Sequence, residues 1–149
     1  MILLDTNMIL RFLVAPEDED SVRMANISRS LFREIAANLT EATVSEVVIH
    51  EVCYVLASKH HYGLDGQKIQ MLVAPLFDLD GLRIPPIDRR IYLRALEIVA
   101  DDQKLGSADA LVLARCEAKN LLLATHDKRM NRFPTVVKWQ SDESNNGLS

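Results

Sequence analysis

The chain is poor in almost everything that marks a specialised architecture. Its 149 residues include 2 cysteines, 5 glycines, 5 prolines and 1 tryptophan, and aromatic side chains make up 5%. Cys53 and Cys116 fall in different helical patterns at no motif spacing. They frame neither a disulfide scaffold nor a zinc site, and two reduced, buried thiols are expected. So few aromatics exclude a surface built from rows of stacking platforms for single-stranded nucleic acid. No apolar run approaches the ~20 residues of a membrane helix. The first residues carry neither the basic region nor the small-residue cleavage site of a secretory signal, so a soluble, cytoplasmic protein is expected. An excess of positive charge is also missing, with 17 Lys and Arg against 21 Asp and Glu and a net charge of −4. That excludes a protein that coats nucleic acid through net charge alone. It does not exclude one whose own metal-binding carboxylates supply the negative charges.

What is there is an ordinary globular composition, 48% hydrophobic and 26% charged, of a length that fits one domain over residues 1–139. The pattern is organised around MILLDTNMILRFL at the start. A short apolar run, Ile2 to Leu4, stops at Asp5-Thr6-Asn7, and Met8, Ile9, Phe12 and Leu13 follow at helical spacing. That predicts a buried strand, a polar turn and a helix. A second helix over 22–37, capped by Asp20 or Ser21, carries Met24, Ala25, Ile27, Ser28, Leu31, Phe32 and Ile35 inward, so that the two form an antiparallel clip. Further strands are expected at 42–45, Leu82–Ile84, Leu121–Ala124 and Val136–Trp139. Helices are expected from Glu46 to Lys59, from Asp65 to Leu79 with a break at Pro75, from an Asp88 cap to Asp101, and over Ala108–Lys119. The tail 140–149 has almost nothing apolar to bury and is expected to be disordered. Strands alternating with helices predict an α/β fold: a three-layer α/β/α sandwich on a parallel sheet of about five strands.

Four carboxylates stand in unusual places. Asp5 and Asp127 each follow an apolar run directly, at the carboxyl end of a strand, where chemistry collects in open α/β sheets. Helix capping is the plain alternative for both. Glu51 shares a stripe with Val44, Val47, Val48 and Val55, which predicts a carboxylate on a buried face in need of a partner or a metal. Asp109 lies on a stripe with Val112, Leu113 and Cys116, and Ser107 is the better placed cap for that helix. A salt bridge or a cap explains any one of them; the set of four points to a shared site. Crowded carboxylates repel unless a cation neutralises them. Hard oxygen donors without cysteine or a histidine set select Mg²⁺ or Mn²⁺, in a site suited to a phosphoryl transition state.

The motifs LLDTN, VSEVVIHEVCYVL, SADALVLARCEA and LLLATHD stand in one order along nearly the whole chain. The ordered set resembles a PIN domain of the VapC-like toxin ribonuclease family. The resemblance implies that Asp5, Glu51, Asp109 and Asp127 are the acidic catalytic and metal residues, supported by Thr6, Asn7 and Thr125. It implies a sheet ordered 3-2-1-4-5, with the tips bearing Asp5 and Asp127 meeting at the switch point. It also implies Mg²⁺- or Mn²⁺-dependent cleavage of RNA to 5′-phosphate and 3′-hydroxyl ends, a homodimer, and a cognate antitoxin threaded past the site. His126 stands where the family often has Phe.

Arg11, Lys128, Arg129 and Arg132 lie within a few residues of these acids and are candidates for gripping RNA phosphates, with surface exposure as the alternative. Glu46, Asp101 and Asp102 are rival acids at a helix end or off the apolar stripe, and His60-His61 lack partners at ligand spacing. A PIN-fold module that binds RNA or protein without cutting, and a housekeeping nuclease without antitoxin, remain as alternatives. A phosphohydrolase of the D-x-D type and a Rossmann domain are unsupported, because Thr6-Asn7 follow Asp5 and no glycine-rich turn follows the first strand.

Overall fold

A computed structural model describes residues 1–138. Trp139, expected at the end of the last strand, and the tail 140–149 lie outside the described residues. Strand β1, Ile2–Leu3, leads through Leu4 and Asp5 into α1, Thr6–Leu13, which buries Thr6, Ile9 and Leu10. Helix α2, Glu19–Ala36, starts earlier than its pattern suggests because Asp18, rather than Asp20 or Ser21, caps it. The Asp18 carboxylate accepts the Ser21 backbone N–H at 2.7 Å, which leaves the Ser21 hydroxyl to accept from Arg11 at 2.6 Å. The two helices form the expected clip: the Phe12 and Phe32 rings stack 4.2 Å apart, and Ser28 donates to the Met8 sulfur. Met24 and Ile27, expected inward, are exposed, because α2 buries only the narrow stripe of Ser21, Ala25, Ser28, Phe32 and Ile35.

Strand β2, Ala42–Thr43, pairs in parallel with β1 in the register Ile2↔Ala42 and Leu3↔Thr43. Leu82 joins Ala42 by a single parallel bridge, which is all that forms of the strand expected over Leu82–Ile84. Helix α3, Glu46–Ala57, follows β2. Helix α4, Gly66–Val73, is capped by Asp65, and Pro75 turns its continuation into a 3₁₀ segment, Ala74–Asp78. Helix α5 spans Pro86–Asp101 with Pro86 in its first turn, a position where a missing N–H does no harm. Pro85 holds the cap position, so Asp88 sits inside the first turn instead of capping. Helix α6, Ser107–Lys119, ends at Asn120 in the left-handed conformation. Strand β3, Leu123–Ala124, then pairs in parallel with β4, Val136–Val137.

The ladders thus run Leu82-β2-β1 and β3-β4, the neighbour relations of a 3-2-1-4-5 order, and among the described residues no ladder joins β1 to β3. The apolar runs at Ile2–Leu4 and Leu121–Ala124 are longer than the strands they form. Leu3 and Leu122, expected in a buried sheet, are 65% and 72% exposed. The tightly packed core lies among the helices instead: Val52 and Leu56 of α3, Ile69 and Val73 of α4, Ile91, Leu96 and Ile98 of α5 and Leu113 of α6 are all almost fully buried. Cys53 lies in this core, and burial pushes its thiol up to about 12; Cys116 is buried too, and both are free. Among the described residues no helix is long and apolar enough to cross a membrane.

Close backbone approach fixes two joints. The Gly81 N–H donates to the Ile35 carbonyl at 2.8 Å while its own carbonyl accepts from Ala42. A Cβ at Gly66 would overlap the Val99 carbonyl, where α4 meets α5. Gly66→Ala is therefore expected to destabilise the fold by about 3 kcal/mol, the upper range for overpacking. Gly106→Ala, with nothing within 4 Å, should stay within about 1 kcal/mol. Urea unfolding of both variants at an unchanged m-value checks the contrast.

Candidate metal centre

Asp5 occupies the cap position of α1 with extended backbone, φ −92° and ψ 160°, yet its side chain makes no capping hydrogen bond. Its backbone carbonyl accepts the Ile9 N–H at 3.3 Å, so the main chain starts the helix and the exposed carboxylate is left over. Next to it Thr6 is buried, and its hydroxyl donates to Glu51 Oε2 at 2.9 Å across 45 residues of sequence. Glu51 itself is exposed, contrary to the burial expected from its stripe. The face of α3 that packs is Val48, Ile49, Val52, Cys53 and Leu56, which rolls Val47 outward and brings Glu51 to the rim. The Thr6 hydroxyl orients it. Asn7 is exposed on the same rim.

The other two acids lie across the strand ends. Gly106, rather than Ser107, takes the cap position of α6, and Ser107 is the first helical residue. Its hydroxyl instead stands 2.7 Å from His50 Nδ1 and bonds the His50 carbonyl oxygen at 3.4 Å, tying α6 to α3 one residue from Glu51. Asp109, in the first turn of α6, and Asp127, after β3, are half-buried, with side-chain exposures of 29% and 26%. Both meet the Arg129 guanidinium. Arg129 Nη2 lies 2.5 Å from Asp127 Oδ2 and 3.3 Å from Asp109 Oδ2, and Nε reaches both Asp127 oxygens at 3.0 and 3.1 Å. Nη1 donates to the Lys104 carbonyl at 2.8 Å. Asp127 also accepts the Arg129 backbone N–H at 3.0 Å, capping the 3₁₀ turn Lys128–Met130, and its own N–H donates to the Thr125 hydroxyl at 3.0 Å. The Arg129 guanidinium, and then its backbone N–H, hold the Asp127 carboxyl below the usual carboxylate range.

Arg129 is thus an internal counterion rather than the unpaired cation expected. Arg132 is likewise engaged: it pairs with Asp102 at 3.1 Å and lies over the Phe133 ring. Of the rival acids, Glu46 is held by Arg115 at 2.6 Å and Asp102 by Arg132. Arg11 has one hydrogen bond, to Ser21, and no ion pair among the described residues. It lines a cleft of about 340 Å³ together with Thr6, Asn7, Glu51, His61 and Tyr62. Lys128, His60 and His126 are exposed. His61, which lacks partners at ligand spacing in the sequence, and Tyr62 form a wall of this cleft, a placement that an exposed loop after a helix does not signal by periodicity.

The four acids are brought to the site in parts. Asp109 and Asp127 share one cation, Glu51 is fixed by Thr6, and Asp5 is free of capping duty. Among the described residues no group of three or more His, Cys, Asp or Glu stands close enough to hold a metal ion. The donor chemistry, all carboxylate oxygen, is of the kind that hard divalent cations take. Between Asp109 and Asp127 a guanidinium stands where such an ion would neutralise the pair.

Asp18, Asp102 and Asp127 all have carboxyls held below the ordinary value of 3.8, Asp18 chiefly by the Ser21 backbone N–H and Asp102 by that of Lys104. Below that value the unfolded chain binds more protons than the folded one, so their contribution is present above about pH 4 and fades as the pH falls. The thermal midpoint should accordingly drop as the pH falls below about 4, and Asp127→Asn should flatten part of that drop. Calorimetry across the pH range measures both.

No curated protein matches this chain. The family model of the PIN domain matches residues 2–136. PIN domains are generally nucleases built on a three-layer α/β/α fold, and the strand-end acids and parallel βαβ units described above agree with that architecture. The chain belongs to the PIN domain family.

Proposed function

We propose that this PIN domain is a metal-dependent endoribonuclease, acting as the toxin of a VapBC-type toxin–antitoxin pair. The observation that carries the nuclease reading is the convergence of Asp109 and Asp127 on one cation, with Glu51 oriented by Thr6 and Asp5 uncommitted as a cap. Helix caps and structural ion pairs do not explain all four. Asp5, Glu51, Asp109 and Asp127 would hold Mg²⁺ or Mn²⁺. Bound there, the ion supplies positive charge to a phosphoryl transition state and makes water a nucleophile near neutral pH.

The chain's own groups have distinct tasks in this reading. Thr6 holds one oxygen of Glu51 and so sets the direction in which the other points. Thr125 fixes the backbone at Asp127 through its N–H. One carboxylate of the four orients the attacking water, leaving 5′-phosphate and 3′-hydroxyl ends. Arg11, which makes no ion pair among the described residues and lines the cleft beside Glu51, grips a phosphate of the RNA strand, and the exposed Lys128 adds a second cation. The toxin role, the homodimer and the antitoxin rest on the likeness of the motifs to VapC-like proteins.

A second reading, a PIN module that binds without cutting, draws on the guanidinium between Asp109 and Asp127. One experiment separates them. Labelled single-stranded and structured RNAs are incubated with Mg²⁺, Mn²⁺ or EDTA, beside Asp5→Asn protein. Cleavage is expected only with metal, and a loss of at least about a hundredfold in the variant, the scale of removing one preorganised electrostatic group. An Asp5→Asn protein that cuts at the wild-type rate refutes the site. RNA bound but never cut favours the module.

A further inference from the structure

We infer that Arg129 is the resident counter-cation of the acidic site and that a divalent ion enters by displacing its guanidinium. The inference rests on the metal-site reading above and adds to it a competitor supplied by the chain itself. Three features carry it. First, the guanidinium engages Asp109 and Asp127 at once, reaching Asp127 through Nε and Nη2 and Asp109 through Nη2. Second, both Asp127 oxygens are engaged: Oδ1 receives the backbone N–H and Nε, and Oδ2 receives Nε and Nη2. A forked pair of this kind covers the edge of the carboxylate that a metal would take. Third, Nη1 is anchored outside the cluster on the Lys104 carbonyl at 2.8 Å, so the group is aimed across the site rather than trailing over it.

The exchange is sterically simple. Arg129 lies in a three-residue 3₁₀ turn and its side chain is 48% exposed, so rotation of the side chain alone releases it to water. Without it, Asp109 and Asp127 face each other uncompensated in the metal-free protein. A dication satisfies the same pair with twice the charge. Arg129 therefore stabilises the empty site and weakens metal binding by the same interaction.

The test uses Mn²⁺ alone as the probe, titrated into the metal-free full chain by calorimetry, for wild type, Arg129→Gln and Arg129→Lys. Thermal unfolding is followed in EDTA and in Mn²⁺. Arg129→Gln is expected to bind Mn²⁺ roughly two- to fivefold more tightly, the fold-change of one exposed ion pair. It should unfold at a lower temperature in EDTA and gain more from Mn²⁺ than wild type does. Arg129→Lys keeps the charge but loses the fork, so its affinity should fall between the two. Equal or weaker Mn²⁺ binding by folded Arg129→Gln, or wild-type affinity in Arg129→Lys, overturns the inference. If wild type nevertheless cleaves RNA with metal, only the displacement is wrong and the nuclease reading stands. If neither protein binds Mn²⁺ and no RNA is cut, the metal site itself is wrong, and the displacement falls with it.

Discussion

Repulsion between carboxylates is the constraint around which this molecule is arranged. Asp109 and Asp127 converge at the end of β3, and the fold tolerates them because a guanidinium lies between. The main chain contributes as well. The backbone N–H of Arg129 and the hydroxyl of Thr125 set the turn that presents Asp127, and α6 begins at Gly106, with no capping side chain, so that Asp109 falls in its first turn. On the other side the buried Thr6 hydroxyl gives Glu51 its orientation. The acids are therefore held by hydroxyls, amides and one cation rather than by burial.

The scaffold beneath is dominated by helices. Strands two residues long supply little ladder energy. The order of the sheet survives in Leu82-β2-β1 and β3-β4, while α3, α4, α5 and α6 bury the large aliphatic side chains. Gly66 lets α4 lie directly on the backbone of α5, and Gly81 lets the turn after the 3₁₀ segment reach both the end of α2 and β2. Such joints place the strand ends, and with them the acids.

Much of this was legible in the residues because the physics is local. Asp5 after an apolar run and before a helical pattern, Pro75 breaking a helix, Asp65 capping one, and two buried thiols all follow from neighbours in sequence. The errors have a common cause: a stripe of apolar residues fixes a helix face only to within its own width. Glu51 was placed inside by Val44, Val47, Val48 and Val55, yet a small roll of α3 exposes both Val47 and Glu51. The same ambiguity misplaced Met24 and Ile27 on α2. Caps were misjudged by one to three residues at Asp18, Pro85 and Gly106, because several polar residues compete at each start and only the folded backbone selects one. Arg129 was seen as a cation near the site, but not as a partner of Asp109, which lies 20 residues away in sequence. Pairing across elements has no signature in a single sequence.

The link between His50 and Ser107 carries one more implication. It joins the helix bearing Glu51 to the helix bearing Asp109, one residue from the first acid and two from the second. The spacing between those acids is thus gauged by a side-chain strut between helices, independent of the short ladders. Strain in the sheet can be absorbed by the exposed ends of the strands. A shift of α6 along α3 therefore changes the distance between Glu51 and Asp109 directly.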